Sequence, residues 1–335
     1  MPASPTTARA DRYRMLAMLL AIAVALAVVA ALRIAIGPSA LGFPSGENAG
    51  RIMESRFFRL GLGLIVGAAL SISGVSLQAL LRNPLAEPFI LGLSTGAAAG
   101  YMAEAFVRTR TGVHLFGLGP LAGASLTMLV VFLAGRRRGV IDPLGLLLTG
   151  VVLGTMNAAV VMVFNYLAPD IQGDLARWMM GYLSESTSQT TLFAIAGLTL
   201  AGLALLLFVA RSMDIATLSE AEAESLGVHL ARLRSLLFIV ASVLAAGSVV
   251  LAGPIAFVGL ICPHLARLLF GPRHGPLLIA SAMLGAALVV AADCASSLIA
   301  LEAGYGSMPI GIFTAFVGGP VFLWMLRPQL GRGNE

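Results

Sequence analysis

The chain has 335 residues, of which 58% are hydrophobic and only 11% charged, with a net charge of +5. That mixture excludes an ordinary soluble domain and a disordered chain, and it fits an all-α polytopic membrane protein. All 21 basic residues are arginine, which excludes a Walker A loop, whose lysine holds phosphate, and also Schiff-base catalysis.

A membrane-spanning helix needs about 20 apolar residues. About ten such runs follow one another, near 15–36, 58–81, 89–107, 116–134, 144–167, 190–210, 235–253, 255–270, 277–301 and 309–326. Residues 1–14 read as a cytoplasmic tail and 15–330 as one transmembrane domain. The first run is too long for a signal peptide and lacks a small-residue cleavage pattern. The eighth is expected to be short or partly re-entrant, because Pro263, His264 and Arg267 interrupt it. An even number of spans places both termini on one side. Taking that side as cytoplasmic leaves 14 arginines inside, including the triplet Arg136-Arg137-Arg138, and 7 outside. The arginines therefore mark topology and are not read as a nucleic-acid patch.

In chain order, the second span opens on Arg56-Phe57-Phe58-Arg59. Two arginines three apart share a helix face and can offer paired donors to carboxylates, or can snorkel to headgroups. The span ends at Arg82-Asn83-Pro84. Arginine is costly in hydrocarbon, and Pro84 and Pro88 deny helical hydrogen bonds, so a polar elbow joins two spans here. Glycines four apart (Gly63 and Gly67, Gly96 and Gly100, Gly150 and Gly154) predict close helix approach. Thr149, Asn157 and Asn165 make the fifth span a pore-wall candidate, and interhelical hydrogen bonding accounts for them equally well. Trp178 reads as an interfacial anchor.

The longest cytoplasmic stretch, 211–234, contains Ser219-Glu220-Ala221-Glu222, a capping box that should start a short helix ending at Gly227. A second short helical piece with His229 and Arg232 should lead into the next span. Asp293 is the one carboxylate well inside a span, suited to a proton relay or to an interhelical bond. Cys262 and Cys294 read as small core residues, and no disulfide or metal site is expected.

Four blocks carry a resemblance: Gly74–Gly100 (GVSLQALLRNPLAEPFILGLSTGAAAG), Glu220–Leu230, Gly253–Arg267 (GPIAFVGLICPHLAR), and Met308-Pro309-Ile310-Gly311 with Thr314, Gly318 and Gly319. Together, from about Arg56 to Arg327, the chain resembles the iron-chelate and cobalamin (FecCD-type) permeases, membrane subunits of type II ABC importers. The resemblance implies that fold, placed in the bacterial inner membrane with both termini cytoplasmic. It implies a pore between two copies of this chain. The expected partners are a periplasmic binding protein and a pair of ATPase subunits that carry the ATP and magnesium. No cofactor and no catalytic residue belong to this chain. The cargo would be a bulky metal chelate, ferric siderophore first, with cobalamin or haem as alternatives.

Residue by residue, the resemblance assigns coupling to the ATPase to Glu220, Glu222, Glu224, Ser225, Leu226, Gly227 and His229. It assigns docking of the binding protein to Arg56 and Arg59, and a cytoplasmic gate to Asn83, Leu85, Pro143 and Leu144. The sequence departs from the family pattern at Phe58, where a proline is usual, and at Ser297, where an arginine is common. A rival from another class, an ion-coupled secondary transporter, would rely on Asp293.

Overall fold

A computed structural model describes residues 5–37, 41–113, 115, 117–137, 140–183, 187–303 and 308–330. Arg138 and Arg332 lie outside the described residues. The helices are α1 (Pro5–Ala35), α2 (Ala49–Leu81), α3 (Leu93–Thr111), α4 (Leu118–Ala134), α5 (Pro143–Leu167) and α6 (Gln172–Met179). They continue as α7 (Gln189–Ile215), α8 (Glu220–Ser225), α9 (Leu230–Ala252), α10 (Val258–Phe270), α11 (His274–Ala303) and α12 (Ile310–Leu330). A two-stranded antiparallel turn, β1 (Arg136–Arg137) with β2 (Val140–Ile141), joins α4 to α5.

Among the described residues, six helices are long and apolar enough to cross a membrane, and Leu118–Ala134, Val258–Phe270 and Ile310–Met325 are shorter apolar helices. With α3, whose last turn carries Arg108 and Arg110, they occupy the positions where about ten spans were expected. Boundaries differ in three places. Helix α1 starts at Pro5, inside the segment expected to be a tail. Helix α3 starts at Leu93, because Pro88–Leu91 forms a 3-10 turn. The piece containing His229 and Arg232 is no separate helix: α9 runs unbroken from Leu230 to Ala252 with His229 as its N-cap. The eighth span is short, with α10 covering 13 residues; Pro263 lies inside it without ending it.

Helix α2 is the axis of the bundle and is enclosed almost all round. Small residues make that possible. A Cβ on Gly67 would lie 2.1 Å from the Gly285 carbonyl oxygen of α11, and one on Gly74 would lie 1.8 Å from that of Gly259 in α10. Against α9, the Ser73 hydroxyl donates to the Ala241 carbonyl at 2.7 Å. A second glycine seam, Gly96 and Gly100 against Gly123 and Gly119, brings α3 onto α4. Such approach replaces the hydrophobic drive that lipid removes between helices.

Helix α5, by contrast, buries only Leu146 and Gly150 of its 25 residues. Val151, Val152, Met156, Met162 and Val163 face outward, as do Phe316, Val317, Leu323 and Trp324 of α12. Together with the exposed Leu16, Leu20, Val24 and Val28 of α1, these are faces free to meet lipid or another chain.

The α2 seam has a direct test. Gly74→Val forces a branched side chain into the α10 backbone, and overpacking of this kind costs about 1–3 kcal/mol or more. The expected outcome is a clear fall in the unfolding midpoint of the detergent-purified protein by scanning fluorimetry. Gly319→Ala, at a site open within 4 Å, should leave the midpoint unchanged.

Candidate functional site

The 211–234 stretch folds as a capped knob. The Ser219 hydroxyl accepts from the Glu222 backbone N–H, and the Glu222 carboxylate accepts from the Ser219 N–H at 3.1 Å, closing the capping box. At the other end Gly227, at φ +82°, donates its N–H to Glu224, while Val228 donates to Ala223. That is a Schellman stop, which favours glycine at the left-handed position. Ala223, Val228 and Leu230 are buried and root the knob in the main core. Glu220, Glu222, Glu224, Ser225, Leu226, Gly227 and His229 all face solvent. The coupling residues named from sequence are thus brought together on one exposed surface.

Three contacts strap this loop to the bundle. The Arg234 guanidinium pairs with Glu220. Arg82 donates to the Ala216 carbonyl at 2.9 Å. Asp214, on the last turn of α7, accepts from the His274 N–H at 2.8 Å and lies 2.7 Å from the His274 ring, at the start of α11. The Arg234 hydrogen bond and charge hold the Glu220 carboxyl below the usual carboxylate range, and the Ser219 hydrogen bonds do the same for Glu222.

Arg82 itself stands at φ +48°, a left-handed position outside glycine, with its N–H directed to Ala79 and that of Asn83 to Gln78. The elbow is therefore a helix stop of the Schellman type. Asn83 is exposed, and its side-chain oxygen accepts from the Leu85 N–H at 2.9 Å. The chain then turns back into the bundle instead of staying at its surface. Ala86, Pro88 and Leu91 are buried, and a Cβ on Gly150, two turns into α5, would lie 2.7 Å from Leu91 Cα. Within this turn the Glu87 carboxylate accepts the Phe257 N–H at 2.6 Å, tying the elbow to the entry of α10. Pro143 and Leu144 occupy the first turn of α5, capped by Asp142, and Leu144 is exposed. Among the described residues no hydrogen bond joins this pair to Asn83 or Leu85 within one chain.

On α5, Asn157 donates to the Thr127 hydroxyl of α4 at 3.0 Å, so its amide serves an interhelical bond. Thr149 and Asn165 are half-buried.

At the opposite end of α2 the arginine pair is not displayed. Arg59 donates through Nη2 to Asp293 at 2.8 Å and through Nε at 3.0 Å, and Arg33 of α1 binds the same carboxylate. Arg56 donates to the carbonyls of Ile34 and Gly42, each at 2.7 Å, which closes the end of α1. Both family arginines are buried, at 4% and 2% exposure. The paired donors serve this chain's own carboxylate and backbone. Asp293 is thus an interhelical ion-pair centre between α1, α2 and α11. Its oxygens are occupied, which removes the support the secondary-transporter reading drew from it. Ser297, also buried, stands without a hydrogen-bond partner for its hydroxyl among the described residues.

Arg33 had no assigned role in the sequence. The available signal was Asp293: a lone carboxylate within a span demands a cation, and Arg33 is one of the few arginines near the end of a span. A second convergence was also missed. Trp178 stacks on Tyr101 at 4.8 Å instead of lying free at an interface, and the Gly181 carbonyl accepts from Ile310 at 2.9 Å. Tyr182 donates to Ala252 at 2.8 Å. Three separated sequence blocks therefore meet at one seam.

A central enclosed helix among several long apolar ones marks a polytopic helical membrane protein, and its rooted surface knob is compatible with a transporter subunit. Comparison with known proteins agrees. The profile of the FecCD transport family matches residues 15–328, and the chain belongs to that family. It is 39% identical over 276 residues to the cobalamin import system permease protein BtuC of Halobacterium salinarum, covering 82% of this chain and 72% of that one. It is 38% identical over 277 residues to a Helicobacter pylori (strain J99) protein named as an iron chelatin transport system permease, covering 82% of each. Among solved structures, a metal-chelate type ABC transporter in an inward-facing conformation superposes with a TM-score of 0.80 at 29% identity, over 93% of this chain and 99% of that one.

Two outcomes follow from the polar clusters. Asp293→Ala leaves Arg33 and Arg59 facing each other without a counter-charge, and losing one partner of a buried pair costs about 3–5 kcal/mol. Folded yield in detergent should collapse, and the triple change Asp293→Ala, Arg33→Met, Arg59→Met should recover part of it by size-exclusion chromatography. For the knob, both carboxyls are depressed in the fold, so their stabilisation is whole above the ordinary value of 4.5 and drains as pH falls below it. Because Glu220 is exposed, the Glu220–Arg234 pair contributes at most about 1 kcal/mol. Hydrogen exchange across 219–228, corrected for intrinsic rates, should lose protection as the pH is taken below 4.5, and Glu220→Gln with Glu222→Gln should flatten that dependence.

Proposed function

We propose that this chain is the membrane-spanning subunit of an ATP-driven importer that moves a bulky metal chelate through a pore between two copies of itself. The observation that carries the reading is the α8 knob. It is short, capped at both ends, rooted by Ala223, Val228 and Leu230, and turned outward with Glu220, Glu222, Glu224, Ser225, Leu226 and His229. Such a knob suits a cleft on a cytoplasmic ATPase. Its straps to Arg82 and to α11 give movement there a route to the elbow and the bundle.

The under-covered faces of α5 and α12 suit the contact with a second copy, with Thr149 and Asn165 beside the passage and Asn83, Leu85, Pro143 and Leu144 at its inner end. This chain hydrolyses nothing in this reading and carries no cofactor. ATP and magnesium sit on the partner, and a periplasmic binding protein delivers cargo. Arg56 and Arg59 would act in docking by fixing the α1–α2 rim that the binding protein meets, since their own donors are engaged. Both termini lie in the cytoplasm.

Ferric siderophore is the first cargo and cobalamin the second. The cobalamin reading is favoured by the 39% identity to a cobalamin permease, the siderophore reading by the 38% identity to an iron chelatin permease.

The test is hydrolysis and uptake in proteoliposomes holding this chain with its cognate ATPase and loaded binding protein. Hydrolysis stimulated by the loaded binding protein, with uptake, is expected, and the chain alone should be silent. Glu222→Leu with Glu224→Leu should leave ATPase activity measurable but cut uptake about ten-fold or more, since interface charge defects of about 1.4 kcal/mol already amount to ten-fold. Gradient-driven uptake by the lone chain, or full uptake by the double variant, would overturn the proposal.

A further inference from the structure

We infer that the furrow between α4, α7 and α9 binds one anionic phospholipid of the leaflet on the α8 side, with its acyl chain in the part of the furrow nearest α8 and its phosphate on Arg136 and Arg232. The furrow has a volume of about 670 Å³ and is floored by α9, from Phe238 to Val250, with α4 and α7 as walls. At 1.5 Å per residue Phe238 lies about 9 Å along α9 from Arg232 and Val250 about 27 Å, so a chain anchored beside Arg232 fills the near part of the furrow, past Phe132, Phe238 and Leu129, while the far part, walled by Thr190 and Thr191 at the start of α7, lies in the opposite leaflet. Its lining is apolar apart from a few hydroxyls.

The end nearest α8 changes character. A second hollow of about 540 Å³ shares Ile239 with the furrow and is lined by Arg232 and Ser235. Arg136 bridges the two. Its guanidinium lies 3.8 Å from the centre of the Phe132 ring, which lines the furrow, and it donates to the Ser235 hydroxyl at 3.5 Å. Arg136 and Arg232 are exposed, and among the described residues neither has an ion-pair partner. The nearby acids are engaged elsewhere, Glu220 with Arg234 and Asp142 as the cap of α5.

An apolar trough that opens at a membrane surface onto two uncompensated guanidiniums and a hydroxyl complements a molecule with a chain and an anionic head. A helix from another protein would fill the trough but leave both charges unanswered. The leaflet is the cytoplasmic one on the functional reading above; the site itself does not depend on that reading.

The test uses the full chain in nanodiscs, with Leu129→Trp placing a fluorophore on the exposed furrow wall and the signal of Trp178 and Trp324 subtracted using the unsubstituted protein. Dibrominated phosphatidylglycerol should quench the introduced indole with about five-fold higher relative affinity than dibrominated phosphatidylcholine, the preference one arginine near an anionic surface supplies. Adding Arg136→Gln and Arg232→Gln should bring the ratio close to one while quenching by phosphatidylcholine stays as before. Equal quenching by the two lipids, a preference that survives the double substitution, or no quenching by either because a second chain covers the furrow would each overturn the inference. None of these readouts involves transport or ATP, so failure here and failure of the importer reading are separable.

Discussion

Enclosing a helix within a membrane bundle requires backbone-to-backbone contact, because lipid gives apolar side chains no reason to leave it for one another. Helix α2 meets that requirement with Gly67, Ser73 and Gly74 set against three different neighbours. The consequence reaches both of its ends. At 33 residues it is about 50 Å long, well beyond a hydrocarbon core of about 30 Å. Its arginines at one end and Arg82 at the other are therefore held at fixed heights by the packing between them. The ion pair with Asp293 and the contact with Ala216 are both tied to the same rigid rod.

Several polar groups inside the bundle follow one pattern. Asp293 takes two guanidiniums, Arg56 takes two carbonyls, Glu87 takes the N–H of a left-handed Phe257, and Asn157 takes a hydroxyl. Each is a tie between separate elements of the bundle. Gly318 shows how tightly one of them is seated: a Cβ there would lie 2.4 Å from the Phe257 ring.

What could be read from sequence was what local chemistry decides. Ser219, Glu222 and Gly227 define a helix whose start and stop need nothing beyond a few neighbouring residues, and α8 forms between them. The elbow was visible because Arg82, Pro84 and Pro88 conflict with a continuous span. The helix seams were visible because glycine pairs at four-residue spacing have few other uses in a membrane. The pairing of Arg33 and Arg59 with Asp293 was not, since it joins positions 260 and 234 residues apart. An Arg-x-x-Arg face reads the same whether its partner belongs to this chain or another. The re-entry of Glu87–Gly92 was hidden for a similar reason: only contact with Gly150 shows that the turn goes inward.

The α8 end of the molecule gathers these threads. Arg82 closes α2 and touches the segment after α7, Asp214 of α7 caps α11, and Arg234 of α9 holds α8. The knob therefore joins the ends of four spans rather than dangling from one loop. A load applied to α8 is shared among α2, α7, α9 and α11, three of which form the tightly packed interior. Helices α5 and α12, which are not among these ties, keep largely uncovered faces, as does α1. The division separates a stiff core that can transmit displacement from outer helices whose positions can change at lower cost, because few buried contacts hold α5 in place.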